Sequence, residues 1–97
     1  MEIKDFINKI VVSQNSGEKM FITDISGAYI KTQTTKPAAH GYYTNYRYDT
    51  INGDPIKNGY LIFEDPSLKD PFIEAYERYS NTEDARFEVY EYWMRKD

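Results

Sequence analysis

His40 is the only histidine of the chain, and there is no cysteine. Nucleophilic catalysis needs an activated Ser, Cys or Thr beside a base. The one imidazole sits in a Thr35-Lys36-Pro37-Ala38-Ala39-His40-Gly41 loop, and no G-x-S-x-G elbow occurs. A lone loop histidine reads as a surface residue. One imidazole and no thiolate cannot make a zinc set. Asp49-Thr50-Ile51-Asn52-Gly53-Asp54 has the outline of a calcium loop, but Ile51 stands where such a loop needs an oxygen ligand. It reads as a turn. No glycine-rich phosphate loop is present. The carboxylate pairs Glu64/Asp65 and Glu83/Asp84 read as surface acids, because nothing in the pattern encloses them. The expectation is a protein with no catalytic residues, no metal and no cofactor.

The remaining chemistry is recognition. Acids and aromatics interleave near the end of the chain, at Glu83, Asp84, Phe87, Glu88, Tyr90, Glu91, Tyr92 and Trp93. Carboxylates can pair with arginines, and rings can stack on guanidinium planes. Such a segment suits a basic, nucleic-acid-binding groove on a partner protein. The plainer alternative is a helix whose two apolar faces both pack inside while its acids stay solvated. The net charge of −4 is unevenly spread. Residues 1–63 hold six acids and seven bases, whereas residues 64–97 hold ten acids and five bases. A nucleic-acid ligand would need a basic footprint, so direct nucleic-acid binding is not expected. The acidic third would steer a basic partner.

The elements that must position these residues follow from periodicity. At 97 residues the chain is expected to form a single domain, 1–97. Ile3, Phe6, Ile7, Ile10 and Val11 have helical spacing, with Gly17 available for a left-handed exit. Residues 19–25 and 28–34 read as strands joined at Ser26-Gly27. Tyr42, Thr44, Tyr46 and Tyr48 alternate with Tyr43, Asn45 and Arg47, which predicts a strand with tyrosine on both faces. Three turn dipeptides fall within 51–59, and Tyr60-Leu61-Ile62-Phe63 reads as a short central strand. Asp70-Pro71 opens a second helix, with Phe72, Ile73, Tyr76 and Tyr79 on its apolar face. Ser80 and Glu83 have capping-box spacing for a third helix over 84–94, with Trp93 buried. Arg86 to Tyr92 also alternates like a strand; the cap and the acidic first turn favour helix. The expected fold is α+β: an antiparallel sheet of three to four strands, an N-terminal helix and two C-terminal helices. No run approaches a membrane span, the mixed charge of Met1-Glu2-Ile3-Lys4-Asp5 is not what a signal peptide is expected to show, and the absence of cysteine favours a cytoplasmic setting.

This layout resembles the small type II anti-CRISPR proteins that mimic DNA. The opening Met1-Glu2-Ile3-Lys4-Asp5-Phe6-Ile7-Asn8-Lys9-Ile10 resembles their first helix. Asn58-Gly59-Tyr60-Leu61-Ile62-Phe63-Glu64 resembles their turn and last strand. Phe72-Ile73-Glu74-Ala75-Tyr76, followed by Thr82-Glu83-Asp84, resembles their closing helix pair with its acidic joint. The chain departs from the group in being less acidic and in carrying the 33–41 loop and the tyrosine-rich strand. The resemblance implies a non-enzymatic inhibitor, phage- or mobile-element-encoded and working in the bacterial cytoplasm. Its partner would be an RNA-guided CRISPR nuclease whose DNA-reading groove it fills. It also implies that Glu83 and Asp84 at the joint, and Asp54 and Asn58 at the turn, contact that partner. Glu88, Tyr90 and Glu91, on the interleaved segment, join them as candidates. An acidic antitoxin or immunity protein that plugs the basic active site of a nuclease has the same physics.

Overall fold

The computed structural model describes residues 1–80. Five antiparallel strands form one sheet in the order β4-β3-β2-β1-β5. They are β1 (Ile10–Ser13), β2 (Lys19–Ile25), β3 (Tyr29–Thr34), β4 (Asn45–Asp49) and β5 (Leu61–Phe63). One α-helix, α1 (Lys69–Ser80), follows a 3₁₀ turn at Pro66–Leu68. The α+β class holds, with more strands than the periodicity implied. The third helix and the burial of Trp93 concern residues outside those described.

The N-terminal helix is not formed. A 3₁₀ turn spans Ile3–Phe6, closed by the Glu2 N–H donating to Asp5 Oδ2 at 2.7 Å. Asn8 then takes φ of 71°, a left-handed value that ends any helix. The next residues, Ile10-Val11-Val12, are β-branched and enter the sheet. The apolar spacing still marks the core, because Phe6 and Val11 are both fully buried. They reach it from a turn and a strand instead of from one helical face. Gly17 is left-handed as expected (φ 73°), but it closes the β1–β2 hairpin. Its N–H donates to the Ser13 carbonyl at 2.8 Å.

The sheet has one buried face. Met20, Ile22 and Ile25 of β2 all point into it, although their spacing is two and then three. The register shift between Ile22 and Asp24 supplies the reason. An extra residue on β2 flips the alternation, so Ile25 and not Asp24 returns to the core. Ile30, Thr32 and Thr34 of β3 lie beside them, fully or almost fully buried. Both hydroxyls are satisfied: Thr32 donates to the Met20 sulfur at 3.3 Å and Thr34 to the Lys36 carbonyl at 3.0 Å.

The segment Tyr60–Phe63 is an edge strand, not a central one. Among the described residues β5 pairs only with β1, and Leu61 and Phe63 turn inward while Ile62 stays 51% exposed. Helical structure starts earlier than Asp70-Pro71. Asp65 accepts from the Ser67 N–H at 3.0 Å and from the Ser67 hydroxyl at 2.7 Å, opening the turn at Pro66. α1 then packs over one end of the sheet. Phe72 meets Phe6 and Phe63 at ring distances of 5.0 and 5.5 Å, and stacks on Tyr76 at 5.6 Å. The Tyr76 hydroxyl donates to the Ser26 carbonyl at 3.0 Å, tying the helix to the β2–β3 turn. Tyr42 and Tyr43 fall in the loop before β4, so the strand carries its tyrosines, Tyr46 and Tyr48, on one face only.

Candidate functional site

Because α1 lies over the β5 side and the Ser26 turn, the described residues leave the buried face open near β4 and the β1–β2 hairpin. There it forms a cleft of about 620 Å³. β4 supplies Tyr46 and Tyr48, the hairpin supplies Ser13, Glu18 and Met20, and the 52–60 loop supplies Asn52, Gly53, Asn58 and Tyr60. Cross-strand pairing explains the floor. Tyr46 stands opposite Thr32, and Tyr48 opposite Ile30. Both rings thus continue the core face outward, 6.5 Å apart and tilted.

The Tyr46 hydroxyl donates to Glu18 Oε1 at 3.3 Å. The charge of Glu18 raises the Tyr46 phenol above its ordinary pKa, since ionising the ring would place two anions side by side. Tyr48 is half-buried, its hydroxyl 3.7 Å from the Met20 sulfur, and burial raises its pKa too. No lysine or arginine pairs with Glu18 among the described residues. Arg47, the cation in the cleft lining, is held by Asp49 at 3.0 Å. Glu64, Glu74 and Glu77 are paired with Lys19, Arg78 and Lys57. Glu18 is thus the carboxylate that the body of the protein leaves available inside a concave, ring-lined surface.

The wall opposite β4 is shaped by backbone. Gly53 adopts φ of 116°, and a Cβ there would meet the Asn58 amide nitrogen at 2.7 Å. The glycine lets the Asn58 side chain lie across it. Asp54 sits just below. Its carboxylate accepts from the Ile56 N–H at 2.8 Å, and its carbonyl accepts from the Asn58 N–H at 2.9 Å. Burial raises the Asp54 pKa, opposed by hydrogen bonds to its carboxylate from the backbone of Ile56 and Lys57. Buried Pro55 and Ile56 anchor the loop.

Of the residues nominated by sequence, Asn58 lines the cleft and Asp54 holds the loop that presents it. Glu83, Asp84, Glu88, Tyr90 and Glu91 lie outside the described residues. His40 is exposed, its Nδ1 accepting from the Tyr42 N–H at 3.2 Å with the rings 5.5 Å apart. Among the described residues no group of three or more His, Cys, Asp or Glu is placed to hold a metal, and no helix is long and apolar enough to cross a membrane. Glu18, Tyr46 and Tyr48 were not nominated. The tyrosine alternation marked the strand, but nothing local marks Glu18, which meets Tyr46 only through the order of the sheet.

Chemically, the cleft offers π faces, one uncompensated carboxylate, and the amides of Asn52 and Asn58. That set suits a cation with planar donors. A guanidinium can stack on a tyrosine and bond a carboxylate at once. Comparison with protein-family models, curated proteins and solved structures finds no match to the chain.

Proposed function

We propose that this chain is a non-enzymatic inhibitor that binds a nuclease through the basic residues of its nucleic-acid groove. An RNA-guided CRISPR nuclease is the first candidate partner. The observation that carries the reading is Glu18: a carboxylate with no cationic partner among the described residues, hydrogen-bonded by Tyr46 and flanked by Tyr48 in an open cleft. Such a surface takes in an arginine that would otherwise contact phosphate or read a base. Glu83 and Asp84, with Glu88, Tyr90 and Glu91, add acids and rings to the same protein, which strengthens the attraction to a basic groove. In this reading the protein works in the bacterial cytoplasm and is carried by a phage or mobile element.

A second reading is an antitoxin or immunity protein for a toxin nuclease. The concavity of the cleft favours it, because a pocket receives a projecting side chain whether or not the partner's groove is occupied along its length. The nuclease that is inhibited separates the two.

The test at the cleft is a titration of ¹⁵N-labelled protein with an arginine-rich peptide and with its lysine-for-arginine counterpart. The amides of Glu18, Tyr46, Tyr48 and Asn58 are expected to shift, with the arginine peptide binding more tightly. Glu18→Gln should weaken that binding. Shifts confined to other surfaces, or an unchanged affinity in Glu18→Gln, would remove the cleft from the account.

A further inference from the structure

The two edges of the sheet are not alike. β5 is a three-residue strand followed by Glu64, Asp65 and Pro66, and Glu64 pairs with Lys19 at 2.8 Å. Short length, charge and proline are the ordinary protections of an edge. β4 has five residues, no proline and an unbroken register with β3, and its two charges, Arg47 and Asp49, pair with each other at 3.0 Å. Its phase is set by two hydrogen bonds, Thr34 N–H to the Thr44 carbonyl at 2.9 Å and Thr50 N–H to the Ala28 carbonyl at 3.0 Å. Antiparallel pairs alternate, so the even-numbered residues of β4 bond to β3. The N–H and C=O groups of Asn45, Arg47 and Asp49 therefore point away from the sheet, at its open end among the described residues.

We infer that β4 pairs antiparallel with β4 of a second copy of this chain, making one continuous sheet across a two-fold axis. Charge selects the register. A two-fold centred on Arg47 would set Arg47 against Arg47, which like-charge repulsion disfavours. One centred on Tyr46 would set Arg47 against Asn45 and leave Asp49 with no cation opposite it on the other copy. Centring on Tyr48 places Arg47 opposite Asp49 of the other copy, twice, and both residues have outward backbone groups that can bond there. Tyr48 then faces its own copy on the cleft side, beside Tyr46, which is 41% exposed in the single chain. The two clefts become neighbours on one face. The contact is short, so the dimer is weak and concentration-dependent. The pairing touches the rim of the cleft, but it follows from the strand edge and not from what the cleft binds.

Sedimentation equilibrium over a range of protein concentrations reads the result. Wild type is expected to move from monomer to dimer as concentration rises. Arg47→Pro removes an outward N–H without touching the β3–β4 ladder, where edge proline is tolerated; it should weaken association by about tenfold or more. Arg47→Asp and Asp49→Arg give a second, charge-based arm. Alone, each sets like charges across the axis and should stay monomeric. Mixed, they set Asp against Arg at both crossings and should form a heterodimer. Circular dichroism matching wild type certifies the fold of each variant. A wild type that stays monomeric throughout, or a mixture no more associated than its components, would overturn the inference.

Discussion

At the scale of single residues, environment and not type decides which acid is left available. Glu18 and Asp54 are both near the cleft, but Asp54 is engaged by the backbone of its own loop. The raised pKa of Asp54 gives a signed prediction. Its folded value lies above its unfolded one, so the native state holds the extra proton in the window just above the ordinary value of 3.8. Stability from this group is fully present below that value and falls as pH rises through the window. Asp54→Asn keeps the acceptor oxygen and loses the titration. Urea unfolding from pH 3.5 to 7 should show the variant gaining on wild type as pH rises; a constant difference would contradict it. At Tyr46 the cause of the raised pKa is the Glu18 carboxylate. Glu18→Gln should therefore bring one tyrosine to ionise at lower pH in an ultraviolet titration. An unchanged titration would break the Glu18–Tyr46 contact. None of this was legible in the sequence, because Glu18 and Tyr46 lie 28 positions apart and only the sheet joins them.

At the scale of elements, the buried residues were legible and their backbone was not. Phe6, Val11, Ile22, Ile30 and Phe72 are apolar residues at periodic positions, and all are fully buried. The first segment has helical spacing without a helix because spacing of three and four also arises when a tight turn feeds a strand. Asn8 and the β-branched run after it were the deciding local features. β5 looked central because four apolar residues in a row suggest burial on both faces, yet only Leu61 and Phe63 are covered. Two predictions test these elements. Asn8→Gly should leave stability unchanged or raised, whereas Asn8→Val should cost about 1–2 kcal/mol at a left-handed position. Equal effects would remove the left-handed turn as the reason the helix stops. Phe72→Ala should cost about 3–5 kcal/mol, because it empties the centre of the Phe6–Phe63–Tyr76 cluster. A loss below about 1 kcal/mol in urea unfolding would mean that α1 is not the lid of the core.

At the scale of the whole molecule, the described residues leave a tyrosine-lined cleft at one end of the sheet, and the acid-rich last third of the sequence adds charge of the same sign. Inhibition by capture of partner arginines is the central claim. Its most direct test is a binding assay between this protein and a guide-loaded CRISPR nuclease, with and without target DNA. Wild type should bind, and DNA should compete for the same site. Glu18→Gln, and separately the double change Glu83→Ala with Asp84→Ala, should each weaken binding, by about 2–5 kcal/mol where a partner arginine is left buried and unpaired. Glu74→Gln breaks an exposed pair with Arg78 and should change affinity by no more than about 0.5 kcal/mol. Simultaneous binding of protein and DNA, or equal losses in all three variants, would contradict the account.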